Sequence, residues 1–294
     1  MLAVVTMPAY NEEKTIGHVV SEIKKVMSGQ KFSYKILLVD DGSTDGTAKV
    51  AKAGGAIVIS HPKNYGLSEA FRTEMKKCLE MKADVIIHID ADRQYDPKEM
   101  PKLIAKLAEG YDLVLGSRFP GKVVHMPWIK RMGNKAFTHI VRSITGLDIT
   151  DSQTGFRAFT REVAKLPISS TYSYTQEQII RAAKEKFKVA EVPASFAKRE
   201  EGGSRLMGSP LEYAIKASIN LTRVYRDYQP LKFFGLSGLA LFSMGFIIGI
   251  YFLYLHLTKG ITGHLGLFFL MTALMVIGIQ LALFGFIADA HRKS

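Results

Sequence analysis

Asp90 and Asp92 stand one residue apart at the end of the apolar run Ile86-Ile87-His88-Ile89. Two carboxylates at i and i+2, where the pleat of a strand relaxes, can converge on one hard cation. Magnesium and manganese accept such oxygen ligands and keep positions open for substrate phosphates. An isolated Asp-x-Asp is more often a solvated acidic turn, so the rest of the chain must decide. Four more polar clusters follow short apolar runs: Tyr10-Asn11-Glu12, Asp40-Asp41, Pro62-Lys63-Asn64 and Ser117-Arg118.

The elements that would carry these clusters alternate. Apolar stretches at 2–7, 35–39, 56–60, 84–89 and 112–116 read as strands, and 12–27, 67–81 and 97–109 have helical spacing. Strands alternating with helices predict an α/β fold, a doubly wound and mainly parallel sheet. Ligands of such sheets bind beyond the carboxyl ends of the strands, where all five clusters fall. Residues 156–159 are short and apolar enough for an edge strand, with a helix at 175–186 and another strand at 188–192. No Gly-x-Gly-x-x-Gly follows the first strand and no Walker loop occurs, which counts against a dinucleotide enzyme or a P-loop NTPase.

The 294-residue chain carries a net charge of +12, which favours an anionic partner. Cys78 is the only cysteine, so an intramolecular disulfide and a cysteine-rich zinc site are excluded. Residues 113–147 contain no acid but include Arg118, Lys122, Lys130, Arg131, Lys135 and Arg142. As a helix over 130–145 this run puts Arg131, Lys135, His139 and Arg142 on one face, and beside Trp128 that face suits lipid headgroups. Residues 198–205 form a charged loop whose glycines permit movement and whose arginines could close over phosphates.

Residues 210–228 read as an amphipathic helix for a membrane surface. Residues 231–257 and 265–288 are long and apolar enough to span a bilayer. Gln280, inside the second span, is expected to bond to the neighbouring helix. Arg223, Arg226 and Lys232 precede the spans, Arg292 and Lys293 follow them, and the connector carries only Lys259, so both termini are expected in the cytoplasm. Residues 1–10 lack the pattern of a signal peptide, in keeping with this. The expected partition is a catalytic domain at 1–208, an interfacial helix at 209–229 and a two-helix anchor at 230–294.

Taken together, Pro8-Ala9-Tyr10-Asn11-Glu12, Val39-Asp40-Asp41-Gly42-Ser43, Asp90-Ala91-Asp92-Arg93-Gln94, Gly116-Ser117-Arg118, Gly155-Phe156-Arg157 and Gly203-Ser204-Arg205 carry a resemblance to a known family. Their order and spacing resemble those of the family 2 inverting glycosyltransferases of GT-A fold, and among them the polyprenyl-phosphate sugar synthases. The resemblance covers roughly residues 4–206. It implies that Pro8, Tyr10, Glu12, Asp40, Asp41, Asn64, Asp90 and Ala91 line the nucleotide-sugar pocket. It also implies that Asp92, Gln94 and Asp90 hold a divalent cation, Mg2+ or Mn2+, and that Arg118, Lys130, Arg131, Asn134, Ser204, Arg205 and Arg199 serve the acceptor phosphate and closure of the site. The chain departs from the pattern in three places: Arg72-Thr73-Glu74 where a third glycine is frequent, Ser204-Arg205 for Ser-Lys, and Asn134 for a serine.

The expected reaction moves a hexose, mannose or glucose, from a GDP- or UDP-sugar to a membrane polyprenyl (dolichyl) phosphate with inversion. A hydroxyl acceptor on a lipid-linked saccharide or polysaccharide is the alternative; it would need a base, and Asp151 is the candidate. A catalytically silent nucleotide-sugar binder is a third reading, which the intact Asp90-x-Asp92 disfavours. Nucleic acid is not an expected partner, because the basic stretch offers little aromatic interleaving beyond Trp128. The spanning helices could also join copies into a homo-oligomer.

Overall fold

The structure is a computed structural model that describes residues 1–119, 128–169, 174–197, 210–260 and 264–293. Two compact units emerge, Met1–Ala217 and Ser218–Ser294.

The first unit is built on a seven-stranded sheet. Its strands are β1 (Leu2–Ala9), β2 (Ser33–Asp40), β3 (Ile57–Ser60), β4 (Val85–His88), β5 (Leu113–Ser117), β6 (Arg157–Thr160) and β7 (Val189–Pro193), in the order β3-β2-β1-β4-β6-β5-β7. Helices α1 (Glu13–Ser28), α2 (Thr47–Ala53), α3 (Leu67–Glu80), α4 (Met100–Ala108), α5 (Trp128–Thr145), α6 (Arg161–Ala164) and α7 (Tyr174–Lys184) connect them, with a 3-10 turn at Pro97–Glu99. The doubly wound, mainly parallel architecture expected from the alternation is present: β3, β2, β1 and β4 run parallel, as do β5 and β7.

Side-chain alternation along the strands explains the layers. Val5, Met7 and Ile87 point to the face where Ile16, Val19, Val20 and Ile23 of α1 and Leu103 and Leu107 of α4 complete a buried core. Each such aliphatic side chain contributes about 1.5–3 kcal/mol on burial. His88, one position on from Ile87, turns to the other face and meets the rings of Phe71 on α3 and Tyr174 on α7.

One expectation is corrected here. The strand near 156–159 is not at an edge: β6 lies between β4 and β5 and runs antiparallel to both. Arg157, Ala158 and Phe159 are all fully buried, and Arg157 stands directly opposite His88. A buried arginine inside the strand disguises it; its guanidinium donates to the carbonyls of Thr154 and Thr175 and to Gln178. The reversed direction matters for the site. It brings the segment before β6, residues 151–156, to the edge of the sheet where β4 and β5 end.

In the second unit, α9 (Pro230–Lys259) and α10 (Leu265–Lys293) are long and apolar enough to cross a membrane, and most of their residues are exposed. They approach closely through glycines: a Cβ on Gly238 would lie 2.4 Å from the Gly278 carbonyl oxygen, and one on Gly245 would lie 2.9 Å from that of Met271. Gly260, at φ +62°, ends α9 in the left-handed conformation. Gln280 is exposed on α10, and among the described residues no hydrogen bond joins its side chain to α9, which Gly278 faces instead. Preceding α9 is α8 (Pro210–Tyr228), on which Ile215 and Ile219 are exposed.

Candidate active site

The chain leaves β1 toward β2 on one side, and β4 pairs with β1 on the other. This reversal opens a crevice at the carboxyl ends of β1 and β4, where open α/β sheets bind ligands. Tyr10-Asn11-Glu12 borders it from β1 and Asp90-Ala91-Asp92 from β4. Asn11 at φ +54° and Arg93 at φ +64° are both left-handed, so each strand end turns sharply as it enters the crevice.

Neighbouring strand ends are tied to these two by the expected pocket residues. Asn11 receives the Thr44 amide on its side-chain oxygen at 2.8 Å and donates its own amide to Ser43 Oγ at 2.8 Å. Asp40, buried at the end of β2, accepts the Ser43 amide at 3.1 Å. Asp41 faces another way. Its carboxylate takes the amides of Tyr65 and Gly66 at 3.0 and 2.8 Å and meets His61 Nδ1 at 2.7 Å, so it shapes the loop that presents Asn64. Gly42, at φ +74°, allows this approach, since a Cβ there would lie 2.4 Å from the Lys63 carbonyl carbon.

Below Asp90 lies a buried polar layer to which the sequence motifs assign no role. Gly155 abuts the Asp90 carboxylate so closely that a Cβ would sit 2.7 Å from Oδ2. The Gly155 carbonyl is in turn held by His88 Nδ1 at 2.7 Å, and His88 Nε2 lies 3.3 Å from Glu74 Oε2. Both partners of that pair are fully buried. Burial raises the Glu74 pKa; for His88 burial acts downward, but Glu74, Asp90 and the Gly155 carbonyl together outweigh it and the net direction is up. Arg157 completes the layer, donating to the Thr175 carbonyl and Gln178 Oε1 at 3.1 and 3.0 Å and to the Thr154 carbonyl. The available signal was weak: one histidine in an apolar strand, and a glutamate in the helix segment Arg72-Thr73-Glu74.

Asp92 Oδ1 accepts the Gln94 amide at 3.1 Å. The side-chain nitrogen of Gln94 donates to the Ala197 carbonyl at 3.2 Å, while Ala197 donates its amide to the Gln94 carbonyl at 2.8 Å. Gln94 is thus pinned to the segment after β7. Among the described residues no group of three His, Cys, Asp or Glu side chains could enclose a metal. The donor set present, two carboxylates and an amide oxygen, fits a hard cation that takes its remaining ligands from water and a diphosphate, not a closed structural site.

At the end of β5, Arg118 forms a two-point pair with Asp151: Nε to Oδ2 at 2.6 Å and Nη2 to Oδ1 at 2.9 Å, with the Arg118 amide also on Oδ2 at 3.2 Å. Asp151 is fully buried. Burial alone would lower the Arg118 pKa, but ionised Tyr95, Asp151 and Asp90 together outweigh it and hold it above the ordinary value. The guanidinium also stacks over Phe196 at 5.2 Å. Asp151, the candidate base only if the acceptor were a hydroxyl, is here the counter-ion of Arg118. On α5, Asn134 is buried and Arg131 is exposed, 6.0 Å from the Phe119 ring centre. Arg199, Ser204, Arg205 and the side chain of Lys130 lie outside the described residues.

Comparison with known proteins places this arrangement. The pattern of glycosyl transferase family 2 matches residues 4–166. A UDP-N-acetylglucosamine–dolichyl-phosphate N-acetylglucosaminyltransferase of Methanococcus voltae is 34% identical over 212 residues, 64% of this chain and 82% of that protein. A polyprenol monophosphomannose synthase of Mycolicibacterium smegmatis is 31% identical over 224 residues, 72% of this chain and 83% of the relative. Among solved structures, glucosyl-3-phosphoglycerate synthase from Mycobacterium tuberculosis, in complex with Mn2+, uridine diphosphate and phosphoglyceric acid, superposes with a TM-score of 0.58 at 23% identity, covering 75% of this chain and 78% of the other; this likeness is one of fold. The matched residues span the strand-end carboxylates, Arg118 and the Asp151–Gly155 segment, and the chain belongs to glycosyl transferase family 2.

Proposed function

We propose that this glycosyltransferase moves a hexose, mannose or glucose, from a GDP- or UDP-sugar to the phosphate of a membrane polyprenol such as dolichol, with inversion at the anomeric carbon. The names of its relatives support a dolichyl or polyprenyl phosphate acceptor. The observation that carries a phosphate over a hydroxyl acceptor is the pairing of both Asp151 oxygens with Arg118. A hydroxyl must lose a proton to attack, whereas a phosphate monoester, with a second pKa of about 6, is already anionic near neutral pH.

In this reading the acceptor phosphate oxygen bonds to the anomeric carbon from the face opposite the leaving group. The bond from that carbon to the nucleoside diphosphate breaks, and its electron pair leaves on the diphosphate. Pro8, Tyr10, Glu12, Asp40, Asn64 and Ala91 line the nucleotide pocket, with Asp41 shaping its wall. Asp90, Asp92 and Gln94 would hold a divalent cation, magnesium or manganese, which when bound offsets the charge of the departing diphosphate. Arg118, Lys130, Arg131, Asn134 and the 199–205 segment with Arg199, Ser204 and Arg205 receive the acceptor phosphate. Catalysis then rests on positioning and fixed charge.

The same reading divides the chain into a catalytic domain at 1–208, an interfacial helix at 209–229 and an anchor at 230–294, with both termini cytoplasmic under the positive-inside rule. Incubation of the purified chain with a panel of nucleotide sugars, a polyprenyl phosphate and Mg2+ or Mn2+, followed by mass analysis of the lipids, tests it. A hexosyl-phosphate lipid from one donor is the expected product. Absence of any sugar-phosphate lipid, in protein shown to bind nucleotide, overturns the proposal.

A further inference from the structure

Strand β4 ends on His88 after a run of aliphatic residues, and the imidazole is fully buried. An apolar side chain would fill that place at less cost, since a buried histidine and its carboxylate partner must both be taken out of water. The surroundings fix the ring. Phe71 and Tyr174 pack on it with ring centres at 5.4 and 5.6 Å, Glu74 Oε2 stands 3.3 Å from Nε2, and Nδ1 lies 2.7 Å from the Gly155 carbonyl oxygen. A carbonyl oxygen only accepts, so Nδ1 carries a hydrogen whatever the charge of the ring. His88 thereby supplies what no aliphatic residue could, a donor for one particular peptide.

That peptide belongs to a run of consecutive carbonyls that are all engaged. Thr154 receives Arg157 on its carbonyl, Gly155 receives His88, and Phe156 receives the Gly116 amide at 2.8 Å. The run lies against Asp90, where a Cβ on Gly155 would sit 2.7 and 2.9 Å from the two carboxylate oxygens. The Asp90 side chain thus rests on bare backbone, and in a close-packed interior a shift of that backbone is passed on to it. We propose that His88, oriented by Glu74, is a positioning residue: by anchoring the Gly155 carbonyl it fixes the Asp90 carboxylate for the divalent cation. The proposal rests on the reading of Asp90 as a cation ligand. It assigns His88 and Glu74 the part that outer partners of metal ligands commonly play, which is to orient a ligand without touching the ion.

The test uses full-length chains in detergent, with substitutions at His88 made together with Glu74→Gln so that none strands a carboxylate. His88→Asn keeps a donor near the position of Nδ1, His88→Gln moves it to that of Nε2, and His88→Leu removes it. Mn2+ is titrated in the presence of uridine diphosphate, and in parallel guanosine diphosphate, and the free ion is followed by electron paramagnetic resonance. The combinations with His88→Gln and His88→Leu are expected to bind Mn2+ about tenfold or more weakly than wild type, and that with His88→Asn within about threefold of it. Melting temperatures of the same proteins separate positioning from packing. Equal affinity in the His88→Asn and His88→Gln combinations, whether kept or lost in both, overturns the proposal, as does an affinity that merely tracks the melting temperature. These two decide the matter if the His88→Leu combination does not fold. A wild type that binds no Mn2+ with either diphosphate is a different result: it removes the cation reading of Asp90 itself, and the proposal with it.

Discussion

Asp151 and Arg118 form a buried two-point ion pair in which one carboxylate oxygen meets Nε at 2.6 Å and the other meets Nη2 at 2.9 Å. Removing one member of such a pair strands the other charge away from water, at a cost of about 3–5 kcal/mol. Asp151→Leu and Arg118→Met are each expected to lose stability on this scale, and the double variant to lose less than the sum. Denaturation in mild detergent across the four proteins measures the coupling. Strict additivity would show that the pair is not what holds this corner together.

Gly155→Ala tests the contact beneath Asp90. The glycine has an ordinary backbone conformation, so the added methyl acts through its clash with the Asp90 carboxylate, 2.7 Å away. Displacement of a reacting group by about 1 Å costs roughly a hundredfold in rate. The expected result is a drop in kcat of about that size with the acceptor KM little changed. An unaltered kcat would mean that Asp90 has room to move or no part in turnover.

Asp92→Asn keeps the shape of the side chain and removes its charge. Metal-dependent turnover is expected to fall by at least about a hundredfold, as loss of several kcal/mol of charge stabilisation implies. Titration with Mn2+, followed by its electron paramagnetic resonance signal in the presence of nucleoside diphosphate, should show weaker binding in the variant. Wild-type affinity for Mn2+ would remove Asp92 from the cation site.

Cys78 is fully buried, and burial followed by the nearby Glu74 charge pushes its thiol pKa up. The thiolate is the reactive form, so the native protein should resist alkylation. Modification by a maleimide is expected to be slower than in the denatured chain by roughly a thousandfold or more, tracking global opening. Rapid labelling of the native protein would contradict this packing.

Much of the sheet could be read from the chain because β1 to β5 announce themselves by short apolar runs, each closed by a polar cluster. The crevice followed, since the carboxyl ends of parallel strands share one edge. What escaped was set by contacts across long stretches of chain. The partner of Asp151 is 33 residues away, and the carbonyl held by His88 is 67 residues away. Phe156 to Phe159 was legible as a strand, but its central place depends on where β4 and β5 leave a gap. Asp41 shows the same limit. Its position after β2 was clear from sequence, yet its hydrogen bonds turn it toward the Asn64 loop and make it a brace.

The late arrival of β6 has a consequence for synthesis. β4 pairs with β1 early in the chain, but its other edge stays open until residues 157–160 have been made. Until then Val85-Ile86-Ile87-His88 presents an apolar strand with unpaired backbone groups, a template for pairing with another chain. A chain truncated between β5 and β6 is therefore expected to carry an aggregation-prone strand edge. Expression fragments of this protein should end after β7 to remain soluble.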